Sequence, residues 1–151
     1  MITKVTASTI VDAPLREVYD QWTQFEDFPR FMEAVKSVTQ LGDERTHWEV
    51  DIAGVERAFD AVITEQLPDQ LIRWESQDEQ LHIGEVQFEN AAGGTRVSLM
   101  MGWVPEGIME RVGAALNLDE RAAERDLERF KEFMNERGTA TGGWRGSIGE
   151  R

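Results

Sequence analysis

Cysteine is absent from this 151-residue chain. The absence excludes a disulfide framework, a thiol nucleophile and a zinc site built on thiolates. Hydrophobic residues make up 40% of the chain and charged residues 30%, which is a globular balance rather than a disordered one. The length suits one domain with a substantial core.

Basic residues are scarce. Sixteen Lys and Arg stand against 29 Asp and Glu, which gives a formal net charge of -13. A surface this acidic repels phosphate backbones and anionic membranes, so we expect no nucleic-acid partner. The acidity is typical of a highly soluble protein.

Long apolar runs are also missing. No segment approaches the length of a bilayer-spanning helix, and Met1 to Lys4 lack the apolar core of a signal peptide. We therefore expect a cytoplasmic protein with no integral membrane association.

Most of the chain alternates between apolar and polar residues, as strands with one covered face do. Short connections with turn residues separate the segments, which favours an antiparallel meander. The pattern predicts strands at Thr3–Val11, Val35–Leu41, Arg45–Ala53, Val55–Leu67, Leu71–Ser76, Leu81–Glu89 and Thr95–Val104.

Three segments have helical signals instead. Pro14 precedes Leu15, Val18, Tyr19 and Trp22, whose spacing forms one apolar helix face. Pro29 limits residues 25–32 to one or two short helical turns. Residues 106–136 predict a long helix that restarts at Asp119, a suitable N-cap, and ends before Gly138. We expect one domain over residues 1–137, followed by a Gly-rich flexible tail over residues 138–151.

Several sequence stretches resemble the START-like, or helix-grip (SRPBCC), superfamily. Within it, the chain is similar to the polyketide cyclase/dehydrase and coenzyme Q-binding START groups. The stretches that carry the resemblance are Asp12 to Pro14, Val18 to Trp22, Phe25 to Met32, Phe59 to Glu65, Ile72 to Trp74, Gly84 to Phe88 and Asp126 to Lys131.

The resemblance implies an α+β helix-grip fold, in which a curved, seven-stranded antiparallel sheet wraps around a long C-terminal helix. Two short helices lie between strands 1 and 2. It further implies a cavity between sheet and helix that holds lipids, quinones, polyketides or other apolar molecules. It implies no shared catalytic set, and we expect no cofactor.

Large inward side chains are the candidates to line that cavity. They are Trp48, Phe59, Ile63, Trp74, His82, Val86, Phe88, Met101, Trp103, Met109 and Val112. The same residues also suit a plain core, and we keep both interpretations. Arg57 shares their face and either contacts a ligand head group or lies in water at the strand end.

His82 is the inward-facing titratable aromatic residue, whereas His47 faces outward. His82 is either a general acid/base or ligand donor, or a structural hydrogen-bonding residue near a strand end. Two histidines on opposite faces make no metal site, so we expect no metal.

Three functions fit these patterns. The leading hypothesis is a carrier that sequesters a small hydrophobic molecule. The second is an enzyme of the polyketide cyclase/dehydrase kind, which the lack of cysteine and of an inward acid–base pair makes weaker. The third is a protein-interaction module that uses the acidic helix face or Trp144.

Overall fold

The computed structural model describes residues 3–52, 55–77, 82–103 and 120–149. Seven strands lie within these residues: β1 (Thr3–Val11), β2 (Val35–Gln40), β3 (Arg45–Ile52), β4 (Val55–Leu67), β5 (Leu71–Ser76), β6 (His82–Ala91) and β7 (Gly94–Trp103). The helices described are α1 (Leu15–Trp22), a 3₁₀ helix (Phe25–Arg30) and α2 (Glu120–Arg137).

The strands form one antiparallel sheet in the order β1-β7-β6-β5-β4-β3-β2. Strands β2 to β7 follow one another as a meander, whereas β1 crosses to the far edge and pairs with β7. The sheet is curled, and α2 packs on its concave side, mainly against β1. These features confirm the predicted helix-grip fold.

The helices bury the apolar faces that their spacing predicts. Val18, Tyr19 and Trp22 of α1 are buried. Along α2 the buried side chains are Ala123, Leu127, Phe130 and Met134. Pro29 lies inside the 3₁₀ helix, which tolerates it because the segment is only six residues long.

The C-terminal end of α2 agrees with the predicted signal. The described part of the helix starts at Glu120, and the predicted N-cap Asp119 and the predicted helical segment before it lie outside the described residues. Gly138 follows the last helical residue with φ 74°, and its amide donates to the Met134 carbonyl at 2.7 Å. This left-handed conformation favours glycine and ends the helix.

The C-terminal tail (residues 138–149 of those described) lies against α1 and its C-terminal end. Its backbone makes three hydrogen bonds of about 3 Å to side chains there: Ala140 to Glu17, Thr141 to Gln21 and Trp144 to Thr23. The mobility predicted for this tail stays a prediction.

Two further contacts link the tail to β4 and to the turn after it. The Arg145 guanidinium pairs with the carboxylates of Asp20 and Asp69. The backbones of Ile148 and Gln66 exchange two hydrogen bonds of 2.9 Å. None of the described helices combines the length and hydropathy needed to cross a bilayer.

Candidate functional site

Four aromatic side chains meet on the concave face of strands β3 to β6, and we call them the open-end cluster: Trp48, Phe59, Trp74 and His82. All four are buried. Trp48 stacks on Phe59, its cross-strand neighbour, with ring centroids 5.8 Å apart and planes 13° apart. The His82 ring centroid lies 5.6 Å from that of Trp48 and 5.5 Å from that of Phe59.

Gly84 makes room for the indole ring of Trp74. It pairs with Trp74 across β5 and β6, and a Cβ atom at Gly84 would overlap the indole ring. The missing side chain lets the Trp74 ring lie flat on β6. Its indole nitrogen thereby reaches His82.

His82 is fixed by hydrogen bonds on its side chain and its backbone. Trp74 Nε1 donates to His82 Nε2 at 3.0 Å, and the His82 amide donates to Ser76 Oγ at 3.0 Å. An indole nitrogen only donates, so Nε2 must accept and the ring proton must sit on Nδ1. The imidazole is therefore the neutral Nδ1–H tautomer.

Burial explains why this ring stays neutral. It lowers the pKa of His82 from 6.5 to about 3, because the charged imidazolium would lose its hydration. A hydrogen bond with the Gly102 backbone offsets part of this fall. Near neutral pH, His82 is a weak base whose Nε2 is already engaged.

The open-end cluster marks one end of the sheet. At this end β3, β5 and β7 finish, and β4 and β6 begin. These strand ends lead into residues 53–54, 78–81 and 104–119, outside the described residues. Two predicted lining residues, Met109 and Val112, fall in the last of these segments, and the side chain of Trp103 is likewise outside the description.

The other predicted lining residues continue the concave face. Ile63 and Val86 are buried, Phe88 is buried against Tyr19 with centroids 5.2 Å apart, and Met101 is half-buried on the core. Arg57 lies half-buried near the start of β4, opposite Val50. Whether these side chains contact a ligand stays a prediction.

Tyr19 brings a second titratable group to the interior. Burial raises the pKa of its phenol to about 12, and the neighbouring Gln66 side chain offsets part of the rise. Within the described residues its hydroxyl makes no hydrogen bond of good geometry. Gln66 itself faces inward because β4 shifts register between Ile63 and Glu65.

A cavity of about 440 Å³ lies at the opposite end of the sheet, and we call it the turn-end cleft. Its walls come from the start of the 3₁₀ helix, the β2–β3 turn, β4 and the C-terminal tail. Ile63 is the predicted lining residue that reaches it. Six further polar or charged lining residues were not among the site residues predicted from the sequence: Thr23, Gln24, Glu26, Gln40, Asp43 and Gln66.

These residues gave no periodic signal. The cleft joins segments more than 100 positions apart, and a bulge rather than simple alternation turns Gln66 inward. No cluster of three or more potential metal ligands occurs in the part of the chain that is described.

The fold agrees with comparisons to known proteins. A family model described as polyketide cyclase / dehydrase and lipid transport matches residues 11–135. The chain belongs to this family. It is a START-like protein, as the sequence resemblance implied.

Similar proteins occur among both sequences and solved structures. An uncharacterized 17.2 kDa protein of Streptomyces lincolnensis is 43% identical over 149 residues, which cover 97% of this chain and 99% of that protein. A solved Deinococcus radiodurans protein is 25% identical with a TM-score of 0.71, covering 90% of this chain and 98% of that one. The Zhui aromatase/cyclase of a Streptomyces species shares the fold, with a TM-score of 0.72, 17% identity and coverage of 95% and 100%.

Proposed function

We propose that this protein binds a small hydrophobic molecule at the open-end cluster and acts as a carrier or sequestering protein. The ligand class is a lipid, a quinone or a polyketide-like compound. The aromatic rings of Trp48 and Phe59 would contact its apolar body. Arg57, near the start of β4, would contact a polar head group. A cytoplasmic location belongs to the same proposal.

We favour binding over catalysis because of the hydrogen bonding and the lowered pKa of His82. Its Nε2 already accepts the Trp74 indole proton, and burial holds its pKa far below neutral. A general base must be free to take a proton near the working pH. Among the described residues, the other titratable groups next to this face are Tyr19 of α1, whose pKa is raised, and Arg57, which is half-buried near the start of β4.

A polyketide cyclase or dehydrase is the second candidate. The family description and the shared fold with the Zhui aromatase/cyclase favour it. Such an enzyme would hold its substrate in the same pocket, so both candidates predict ligand binding at the open-end cluster. They differ in whether the bound molecule is released unchanged.

Replacing Phe59 by Ala tests the location of the pocket. We expect weaker binding of the apolar fluorescent probe ANS, because the truncation removes one face of the stacked Trp48–Phe59 pair. The loss corresponds to roughly 1–2 kcal/mol of apolar contact, or about fivefold to thirtyfold in Kd. Trp74→Ala should weaken binding in the same direction.

Phe133→Ala is the matched control, since it makes the same truncation on α2. Phe133 packs on Phe31 and between Arg30 and Arg137, away from the open-end cluster. Equal ANS affinity in wild type and Phe59→Ala would place the pocket elsewhere. Native mass spectrometry of gently purified protein, followed by solvent extraction, would then identify any ligand and show whether it is chemically changed.

A further inference from the structure

The turn-end cleft shares no lining residue with the open-end cluster. Two of its lining residues contact that cluster: Ile63 is the cross-strand partner of Trp74, and the Phe25 ring centroid lies 5.6 Å from that of Trp74. The other lining residues belong to the start of the 3₁₀ helix and the residues before it, the end of β2 and its turn, β4 and the tail. Its volume of about 440 Å³ falls within the range of small-molecule sites. The cleft therefore has its own shape and its own chemistry.

Charge of one sign lines this cleft. Glu26 and Asp43 contribute carboxylates, and no lysine or arginine occurs among the described lining residues. The nearby Arg145 does not compensate for them, since its guanidinium pairs with Asp20 and Asp69. Carboxylates without a basic partner favour a cationic ligand.

Trp144 adds an aromatic wall to the two carboxylates. Its position is set by the tail, because its amide donates to Thr23 Oγ1 at 3.1 Å and Gly146 lies beneath its ring. An indole face attracts cations more strongly than other side-chain rings do. Phe25 supplies a buried apolar surface at the same cleft.

Amide groups complete the hydrogen-bonding surface. Gln24, Gln40 and Gln66 line the cleft, and Gln66 is almost fully buried. The Gln40 backbone amide donates to Glu26 Oε2 at 3.0 Å, which fixes that carboxylate and leaves its other oxygen available to a donor on a ligand.

We propose that the turn-end cleft binds a small organic ammonium ion. The ammonium group is held by the carboxylates of Glu26 and Asp43. The apolar part of the ligand lies against Trp144 and Phe25. This site acts independently of hydrophobic ligand binding at the open-end cluster.

The test is a titration of the full chain with a small ammonium compound at pH 7. The readout is the NMR chemical shifts of the backbone amides and of the indole groups. Benzylamine, which is protonated at this pH, is the probe, and benzyl alcohol is its neutral counterpart of similar shape. We expect saturable shifts at Trp144 and Gln40 with benzylamine, and at least about tenfold weaker binding of benzyl alcohol. Equal affinity for the two compounds, or no saturable shift at these residues, would overturn the proposal.

Three variants test whether the two carboxylates and the Trp144 ring bind the ligand. Glu26→Gln and Asp43→Asn should each weaken benzylamine binding by about threefold to tenfold, and Trp144→Leu by about threefold. Glu89→Gln is the control, because it removes the same charge from an exposed β6 position that pairs with Arg96. An equal loss in Glu89→Gln would show that net charge alone acts, and the assignment to the cleft would be wrong.

The two binding proposals fail in different ways. ANS affinity should be unchanged in Asp43→Asn, and benzylamine affinity should be unchanged in Phe59→Ala. Loss of benzylamine binding in Phe59→Ala would contradict a separate site at the turn end.

Discussion

At the scale of single residues, the buried His82 ring makes the stability of the domain depend on pH. In the unfolded chain its imidazole takes up a proton near pH 6.5, whereas in the folded protein its pKa is about 3. Between these values the unfolded state binds more protons. The stability that the neutral His82 ring contributes is therefore fully present above pH 6.5. It is lost as the pH falls below that value, by at most about 1.4 kcal/mol per pH unit.

His82→Gln should remove this pH dependence. The Gln side-chain oxygen can accept the Trp74 indole proton, and an amide does not titrate. We expect the variant to be less stable than wild type at pH 7, by about 1–3 kcal/mol, through imperfect packing and hydrogen bonding. The difference should shrink as the pH falls from 6 to 4, and urea unfolding at a series of pH values measures it.

His47→Gln is the control, because the pH dependence that His47 contributes to the stability has the opposite sign. The Asp60 carboxylate, 2.7 Å from Nδ1, raises the pKa of His47. The contribution of His47 to the stability is present below pH 6.5 and is lost as the pH rises through its raised pKa. A difference between wild type and His82→Gln that stays constant with pH would contradict a buried neutral imidazole in the wild type.

The sequence predicted which residues face inward but not which of them touch. Alternation alone placed Trp48, Phe59, Trp74 and His82 on one face of the sheet, where the structure has them. The hydrogen bond from Trp74 to His82 depends on the β5–β6 register and on the missing side chain at Gly84. Neither dependence is visible in a pattern of period two.

At the scale of elements, the C-terminal tail shows how composition differs from conformation. Glycines predict flexibility because they have few backbone restraints. In this tail they also allow close contact, since a Cβ atom at Gly142 would crowd the Gln24 side chain and one at Gly143 would crowd Asp20. The sequence carries no signal for such contacts, because they depend on the surface of α1.

Hydrogen exchange can decide between a docked and a mobile tail. The Gln66 amide donates to the Ile148 carbonyl at 2.9 Å, so a docked tail protects it from exchange. We expect deletion of residues 139–151 to raise the exchange rate at Gln66 by at least about tenfold, as local opening no longer has to break this bond.

The amide of Val86 is the internal reference, since β6 lies between two strands. Its exchange should change little in the truncated chain. Fast exchange at Gln66 in the full-length protein would instead support the predicted mobile tail, and it would remove one wall of the turn-end cleft.

At the scale of the whole molecule, the net charge of -13 acts on stability. Excess acidic groups repel one another in the compact state more than in the expanded unfolded chain. Salt screens this repulsion, because the Debye length falls from about 10 Å at 0.1 M to about 3 Å at 1 M.

We expect the Tm at pH 7.5 to rise by roughly 2–4 °C between 0.1 M and 1 M NaCl, which corresponds to about 1 kcal/mol for a chain of this size. Calorimetry at both salt concentrations measures the shift. Near the sequence pI of about 4.5 the salt effect should largely vanish. A fall in Tm with salt at pH 7.5 would mean that the ion pairs outweigh the repulsion.

The architecture was the most predictable level, because it repeats one simple pattern. Six segments of alternating residues joined by short turns leave an antiparallel meander as the natural arrangement. The turn-end cleft was the feature least predictable from the sequence. It joins residues 23–26, 40–43, 63–66 and 143–144, and only the folded chain brings them together.

The crossing of β1 to the far edge affects the order in which this protein assembles during synthesis. β1 pairs with β7, and Val11 meets Thr95 while Thr3 meets Trp103. Ribosomes add about 5–20 residues per second, so β1 waits roughly 5–20 s after its own synthesis before its partner exists. Hairpins within β2 to β7 close over far shorter separations. The first strand to be made is thus the one whose pairing must wait for the last.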